Sequence, residues 1–176
     1  QLLALAENLG LAERVRIVAF RDNPFPLMSA ARALVLCSES EGFPNVLVEA
    51  LALGVPVVST DCRSGPREIL APGTGAPLGV GVERAQYGVL VPPPDDAFDT
   101  ERVVSSPAER DLASAIDAVL GNRDLAASLK RRGPERAAHY GDARWARRHH
   151  ELFSRLLRAP LVAQGRRKRF AGKEQP

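Results

Sequence analysis

Residues 33–60 read ALVLCSESEGFPNVLVEALALGVPVVST. ALVLC (33–37) is a short apolar run without alternation, the pattern of a strand buried on both faces. PNVLVEALALG (44–54) repeats apolar residues at helical spacing and ends on Gly54, suited to the left-handed turn that closes a helix. PVVST (56–60) is a second β-branched run. Strand, helix and strand at this spacing predict a parallel βαβ unit.

The same alternation extends outward. VRIVAF (15–20) reads as a strand, PFPLMSAA (24–31) as a short helix and GVLVP (88–92) as a further strand. The expected fold class is α/β, a Rossmann-like parallel sheet. Ligands of such sheets sit beyond the carboxyl ends of the strands, which groups the loops at 21–24, 38–45 and 60–66 around one crevice. Gly, Pro and Ala dominate residues 71–85, expected as an exposed loop. PPPDDAFDTERVVSSP (92–107) leads into helices expected over 108–121, 123–139 and 142–158, the last carrying Trp145, Leu152, Phe153, Leu156 and Leu157. Residues 1–158 are expected to form one domain and residues 159–176 a basic, disordered tail with little to bury.

The chain has 176 residues, 45% of them hydrophobic and 26% charged, within the range of soluble globular domains. No stretch is long and apolar enough to span a bilayer, and no signal pattern opens the chain. Two cysteines, Cys37 and Cys62, make neither a disulfide framework nor a metal site. Both are expected as buried, reduced thiols, in keeping with a cytoplasmic location. There is no Asp-X-Asp, and His139, His149 and His150 lack partners at ligand spacing, so no metal is expected. The net charge of +3 is unevenly distributed: residues 123–176 carry +10 and residues 1–122 carry −7. The basic end, with RRKR at 166–169, suits peripheral contact with an anionic membrane or simply a solvated helix face. Without interleaved aromatics it does not suit nucleic acid.

The crevice loop SESEGFPN places Glu41 before a helix start and Glu49 within the helix. Pro44 suits the first helical position, where its missing N–H costs nothing. Gly42 admits close backbone approach, and the amides of Asn45 and Val46 favour an anion. A carboxylate only accepts hydrogen bonds, so beside a phosphate it needs a hydroxyl. Two carboxylates around one anion site therefore suit a ligand with hydroxyls on both sides of a phosphate group, as in a nucleotide sugar. Spacing alone favours a plainer reading, with Glu49 on a helix surface and Glu41 as an N-terminal helix charge.

The run EGFPNVLVEALALGVPVVSTDCRSGPREIL (41–70) resembles the donor-binding half of the retaining, GT-B-fold glycosyltransferases of group 1. Their pattern of two glutamates separated by seven residues falls on Glu41 and Glu49. RVRIVAFRDNP and YGVLVPP are similar to neighbouring family segments, and SGPREIL resembles bacterial members that build surface polysaccharides. The resemblance spans roughly residues 1–158. It implies that Glu41 contacts hydroxyls of the transferred sugar and Glu49 those of the ribose. Gly42, Phe43, Asn45 and Val46 are implied to line the sugar and diphosphate, and Arg21, Asp22 and Asn23 to lie near the base. Ser64, Gly65 and Glu68 match the next crevice loop, with a mainly structural role; Ser64 also reads as an N-cap. Glu41 is the nearest candidate for a catalytic group, though the resemblance assigns it to binding.

The implied reaction passes a hexose from a nucleoside diphosphate sugar, bound as substrate without a cofactor, to a saccharide or lipid-linked acceptor. The family's sheet order is 3-2-1-4-5-6, with VRIVAF matching the third strand. The first two strands, the basic residues that neutralise the diphosphate and the N-terminal acceptor domain are then expected upstream of Gln1, leaving VRIVAF without a neighbour. Rival readings are a related sugar-nucleotide epimerase, a phosphorylase (its cofactor lysine would have to be Lys130, Lys168 or Lys173) and a non-catalytic donor-binding module.

Overall fold

The computed structural model describes residues 2–75, 79–94 and 105–158. The chain divides into two compact units, Gln1–Tyr140 and Gly141–Pro176. In chain order the first unit holds α1 (Leu2–Asn8), α2 (Phe25–Ser29), β1 (Leu34–Leu36), α3 (Asn45–Ala52), β2 (Val57–Thr60), α4 (Pro66–Leu70), β3 (Glu83–Arg84), β4 (Val89–Val91), α5 (Pro107–Gly121), α6 (Arg123–Ala137) and a 3-10 turn, Ala138–Tyr140. The second unit holds α7 (Asp142–Arg158). RRKR and the rest of the expected tail lie outside the described residues, as do Asp95, Asp96 and Asp99.

The sheet runs β1-β2-β4-β3. β1, β2 and β4 are parallel, with Leu36 beside Ser59 and Ser59 beside Leu90, and β3 pairs antiparallel to β4. Alternation along the strands feeds two cores. Val57 and Leu90 pack with Leu47, Ala50 and Leu51 of α3 and with Ile69 and Leu70 of α4. Val58, Val89 and Val91 pack on the other face against Ala115 and Val119 of α5 and Leu129 of α6. β2 and β4 are thus apolar on both faces because helices cover both.

Two expectations fail at one edge of this sheet. VRIVAF forms no strand: residues 15–20 are exposed, with Phe20 92% accessible. A strand exists only where a partner backbone takes its hydrogen bonds, and among the described residues no strand pairs with these. β1 is not buried on both faces either. Leu34 and Leu36 lean on the α3 core, whereas Val35 is exposed. Cys37, just beyond β1, is likewise exposed rather than buried, while Cys62 is buried.

Local signals set the helix ends. The Ser106 side chain accepts from the Glu109 amide while the Glu109 carboxylate accepts from the Ser106 amide, a reciprocal cap that starts α5 at Pro107. Asn122 caps α6 through the Leu125 amide at 3.0 Å. Gly54, at φ 67°, ends α3 as its position predicts.

α3 and α6 cross at glycine. A Cβ at Gly133 would stand 2.8 Å from the Leu51 carbonyl oxygen, whereas one at Gly121 would meet nothing within 4 Å. Alanine in a helix interior is ordinarily favoured over glycine by about 1 kcal/mol. Gly133→Ala is nevertheless expected to destabilise the protein by about 1–3 kcal/mol, because the backbones must separate. Gly121→Ala is expected to be neutral or mildly stabilising. Denaturant midpoints of the two variants check this.

Candidate functional site

β1 and β2 run parallel, so the loops at 37–44 and 61–65 leave the same edge of the sheet. Threonine at the end of β2 joins them: Thr60 Oγ1 donates to the Ser38 carbonyl at 2.6 Å. Ser38 Oγ in turn donates to Glu41 Oε1 at 2.6 Å. From the other loop, Ser64 Oγ donates to the Glu41 carbonyl at 2.5 Å. Glu41 is therefore held twice, its carboxylate by its own loop and its backbone by the next. This use of the Ser64 hydroxyl corrects the N-cap reading. Gly65 occupies the N-cap position of α4 and Pro66 follows it.

Gly65 makes this approach possible. Its φ is 92°, and a Cβ there would lie 2.5 Å from Pro44 Cδ and 3.0 Å from the Gly42 carbonyl. Pro44 is buried and caps α3 one residue before the helical run. Buried Leu47, Ala50 and Leu51 define the inner face of α3. Asn45 is exposed and Glu49 half-buried, one turn apart on the outward side. Gly42 and Phe43 are exposed and Val46 is half-buried.

The expected base-contacting loop is less fixed. Arg21 and Asp22 are exposed and form no hydrogen bond or ion pair among the described residues. Asn23 Oδ1 accepts from the Phe25 amide at 3.2 Å, a local turn contact just before α2. The structure thus joins Glu41, Gly42, Phe43, Ser64 and Gly65 directly, and joins neither Arg21 nor Asp22 to them through such bonds.

Cys62 lies beside this cluster. Burial pushes its thiol pKa up and the Glu41 charge adds to the shift, so it stays a neutral thiol at neutral pH. Among the described residues no group of three or more His, Cys, Asp or Glu side chains could hold a metal ion. His139 and His150 are exposed, and the His149 ring stands 6.4 Å from that of Phe153. No helix among the described residues is long and apolar enough to cross a membrane.

Two networks beside the site were not legible in the sequence. In the first, buried Asp61 accepts from Arg67 Nε at 3.0 Å, from Arg67 Nη2 at 2.5 Å and from the Gly79 amide at 2.9 Å. Arg67 also reaches Glu83 at 2.8 Å and Thr74 at 3.1 Å. Asp61 foremost, then Glu83, hold the Arg67 guanidinium more firmly in its charged form, against an opposing effect of burial. The Asp61–Arg67 pair thus gathers the end of β2, α4, Thr74, Gly79 and β3. An aspartate directly after a β-branched strand, six residues before an arginine, was the available signal. In the second network, Arg136 of α6 donates from Nε to the Ile69 carbonyl at 2.9 Å and from Nη2 to the Glu68 carbonyl at 2.5 Å. Arg136 Nη2 also donates to Tyr140 Oη at 2.5 Å, and its guanidinium lies over the Tyr87 and Tyr140 rings. The Tyr140 ring meets that of Phe43 at 5.3 Å and 60°. Glu68, matched to the crevice by resemblance, contributes here through its carbonyl.

The chain has counterparts among known proteins. Residues 1–122 match the model of the family described as "Glycosyl transferases group 1". The chain belongs to the group 1 glycosyltransferases. An uncharacterised glycosyltransferase of Methanocaldococcus jannaschii is 33% identical over 129 residues, 71% of this chain and 32% of the relative. A lipopolysaccharide 1,6-galactosyltransferase of Salmonella typhimurium is 37% identical over 79 residues, 43% of this chain and 22% of that protein. Among solved structures, sucrose-phosphate synthase from Thermosynechococcus elongatus superposes with a TM-score of 0.65 at 26% identity, over 89% of this chain and 33% of that one. The chain thus spans a third or less of the length of these relatives, and its parallel-dominated α/β sheet is that of part of a GT-B fold.

Removing one partner from a buried ion pair strands the other charge, at a cost of about 3–5 kcal/mol. Arg67→Met leaves the Asp61 carboxylate, 2% exposed, with only the Gly79 amide among the described residues. It is expected to lower stability by about 3 kcal/mol, read as a lower denaturant midpoint at unchanged slope. Arg67→Lys, which keeps the charge but loses the fork, should fall between the two.

Proposed function

We propose that this chain is the donor-binding part of a retaining glycosyltransferase that transfers a hexose from a nucleoside diphosphate sugar to an acceptor hydroxyl. The observation that carries the reading is the double hold on Glu41, by Ser38 through its carboxylate and by Ser64 through its backbone. A carboxylate fixed in this way is placed to accept hydrogen bonds from sugar hydroxyls. Family membership and a relative named as a lipopolysaccharide galactosyltransferase support an acceptor that is a saccharide or lipid-linked saccharide in polysaccharide or glycolipid synthesis.

In this reading Glu41 holds hydroxyls of the transferred sugar and Glu49 those of the ribose. Backbone amides at Gly42, Phe43, Asn45 and Val46 face the sugar and diphosphate, stabilising the charge that develops on the leaving group. Arg21 and Asp22 approach the base. Gly65 keeps the two loops close enough to form one pocket wall. The donor enters as a substrate, and no cofactor or metal takes part. The acceptor is held by an N-terminal acceptor domain. The work takes place in the cytoplasm, with the basic C-terminal end favouring peripheral contact with the anionic inner face of the membrane.

The two carboxylates separate in kinetics of the complete enzyme. Ribose hydroxyls keep their charge and position throughout the reaction, so loss of Glu49 weakens ground state and transition state alike. Hydrogen bonds to a charged group contribute about 1.5–3 kcal/mol. Glu49→Ala is therefore expected to raise donor KM roughly ten- to a hundredfold with kcat nearly constant. Glu41→Gln is expected to lower kcat with little change in nucleoside diphosphate affinity, because small misplacement of the reacting sugar slows chemistry. Equal loss of nucleoside diphosphate binding in both variants would refute this division of roles.

A further inference from the structure

Gly42 and Phe43 stand between Glu41 and the start of α3, and little supports them. A Cβ at Gly42 would meet nothing within 4 Å. The Phe43 backbone rests against Gly65, since a Cβ there would lie 3.4 Å from Phe43 Cα. The Phe43 side chain is 42% exposed, and its ring meets Tyr140 at 5.3 Å. Tyr140 is itself fixed: its hydroxyl accepts from Arg136 Nη2 at 2.5 Å and is 3.4 Å from the Glu68 carbonyl, to which it donates. Arg136 lies 4.9 Å from the Tyr140 ring centroid and 5.6 Å from that of Tyr87. It also donates to the carbonyls of Glu68 and Ile69 on α4, the helix that begins just after Gly65.

These contacts close a circuit. From Glu41 it passes through Ser64 to Gly65 and α4, then through Arg136 to Tyr140, and returns through Phe43. We infer that Tyr140, clamped by Arg136, is a positioning residue that sets Phe43 and with it the Glu41 loop. It reaches no reacting atom itself and acts through the Phe43 ring. The inference rests on the proposed role of that loop in holding the transferred sugar. It adds that the end of α6, roughly a hundred residues from the loop in sequence, sets the geometry of transfer.

The test uses the complete enzyme. The nucleoside diphosphate among UDP, GDP and ADP that binds tightest is chosen, and its glucose-linked form is supplied as donor at saturation. Tyr140→Leu removes the ring and Tyr140→Phe keeps it. Tyr140→Leu is expected to lower kcat for nucleoside diphosphate release roughly 10- to 100-fold, with affinity for the free nucleoside diphosphate within about twofold. Tyr140→Phe should stay within about threefold of the parent, because the ring contact with Phe43 survives. In the Phe43→Leu background, adding Tyr140→Leu should lower kcat no further, since the shared route is already cut. Additive losses, or a Tyr140→Phe as impaired as Tyr140→Leu, would overturn the inference, as would an unchanged kcat in Tyr140→Leu. Should Tyr140→Leu fail to fold, Arg136→Lys, which loosens the clamp on Tyr140, takes its place: it should lower kcat in the parent and no further in the Phe43→Leu background, and additive losses or an unchanged kcat would overturn the inference. Failure of the donor-site reading itself is distinguishable, because donor binding would then be indifferent to Glu49→Ala whatever residue 140 does.

Discussion

The candidate site depends on a contact that only a residue without a side chain allows. At Gly65 the backbone turns with φ at 92° and passes so close to residues 42–44 that a Cβ would overlap the Pro44 ring. That approach brings the Ser64 hydroxyl to the Glu41 carbonyl and lets two loops from neighbouring parallel strands form one wall. Were the loops further apart, Glu41 would keep its bond to Ser38 but lose its tie to the second loop. The proposed donor chemistry follows from this placement, since a hydrogen-bond acceptor for a sugar must be fixed before the sugar arrives.

Around that contact, polar groups serve as fasteners. Asp61 is buried at the end of β2, where an unpaired carboxylate would be costly. It is satisfied by the Arg67 fork and the Gly79 amide, so its charge stays paired while Gly79 is tied to the end of β2. Arg136 works similarly on carbonyls at the end of α4, with aromatic rings above and beside it. Among the described residues no buried side-chain nitrogen or oxygen lacks a hydrogen-bond partner. Opening the Asp61 links would leave a buried carboxylate without its partners, which resists rearrangement there.

Much of the fold was readable in particular stretches. PVVST and GVLVP are β-branched and apolar on both faces, and they became β2 and β4, buried between helices. The helix over 44–54 ended on Gly54 as its position requires, and the three C-terminal helices fell close to their predicted spans. VRIVAF misled because its composition is that of a strand, while a strand is a property of two segments. No strand pairs with it among the described residues, so composition had nothing to act on. ALVLC misled in a smaller way: Leu34 and Leu36 pack on the α3 core while Val35 is exposed on the opposite face. Ser64 looked like a cap because serine before a proline-led helix often is one, yet its hydroxyl found a carbonyl across the crevice instead.

By itself, the sequence determined the α/β class, the parallel βαβ core and the family, since periodicity, turn residues and short motifs are local properties. Only the tertiary structure decided how Glu41 is held, that Asp61 and Arg67 pair at the end of β2, and that Arg136 and Tyr140 reach Phe43 from the far end of the first unit. Each of those depends on a distance across the fold between residues remote in the chain. A hydrogen bond or ring contact forms only over a few ångströms, and one sequence's spacing does not carry that information.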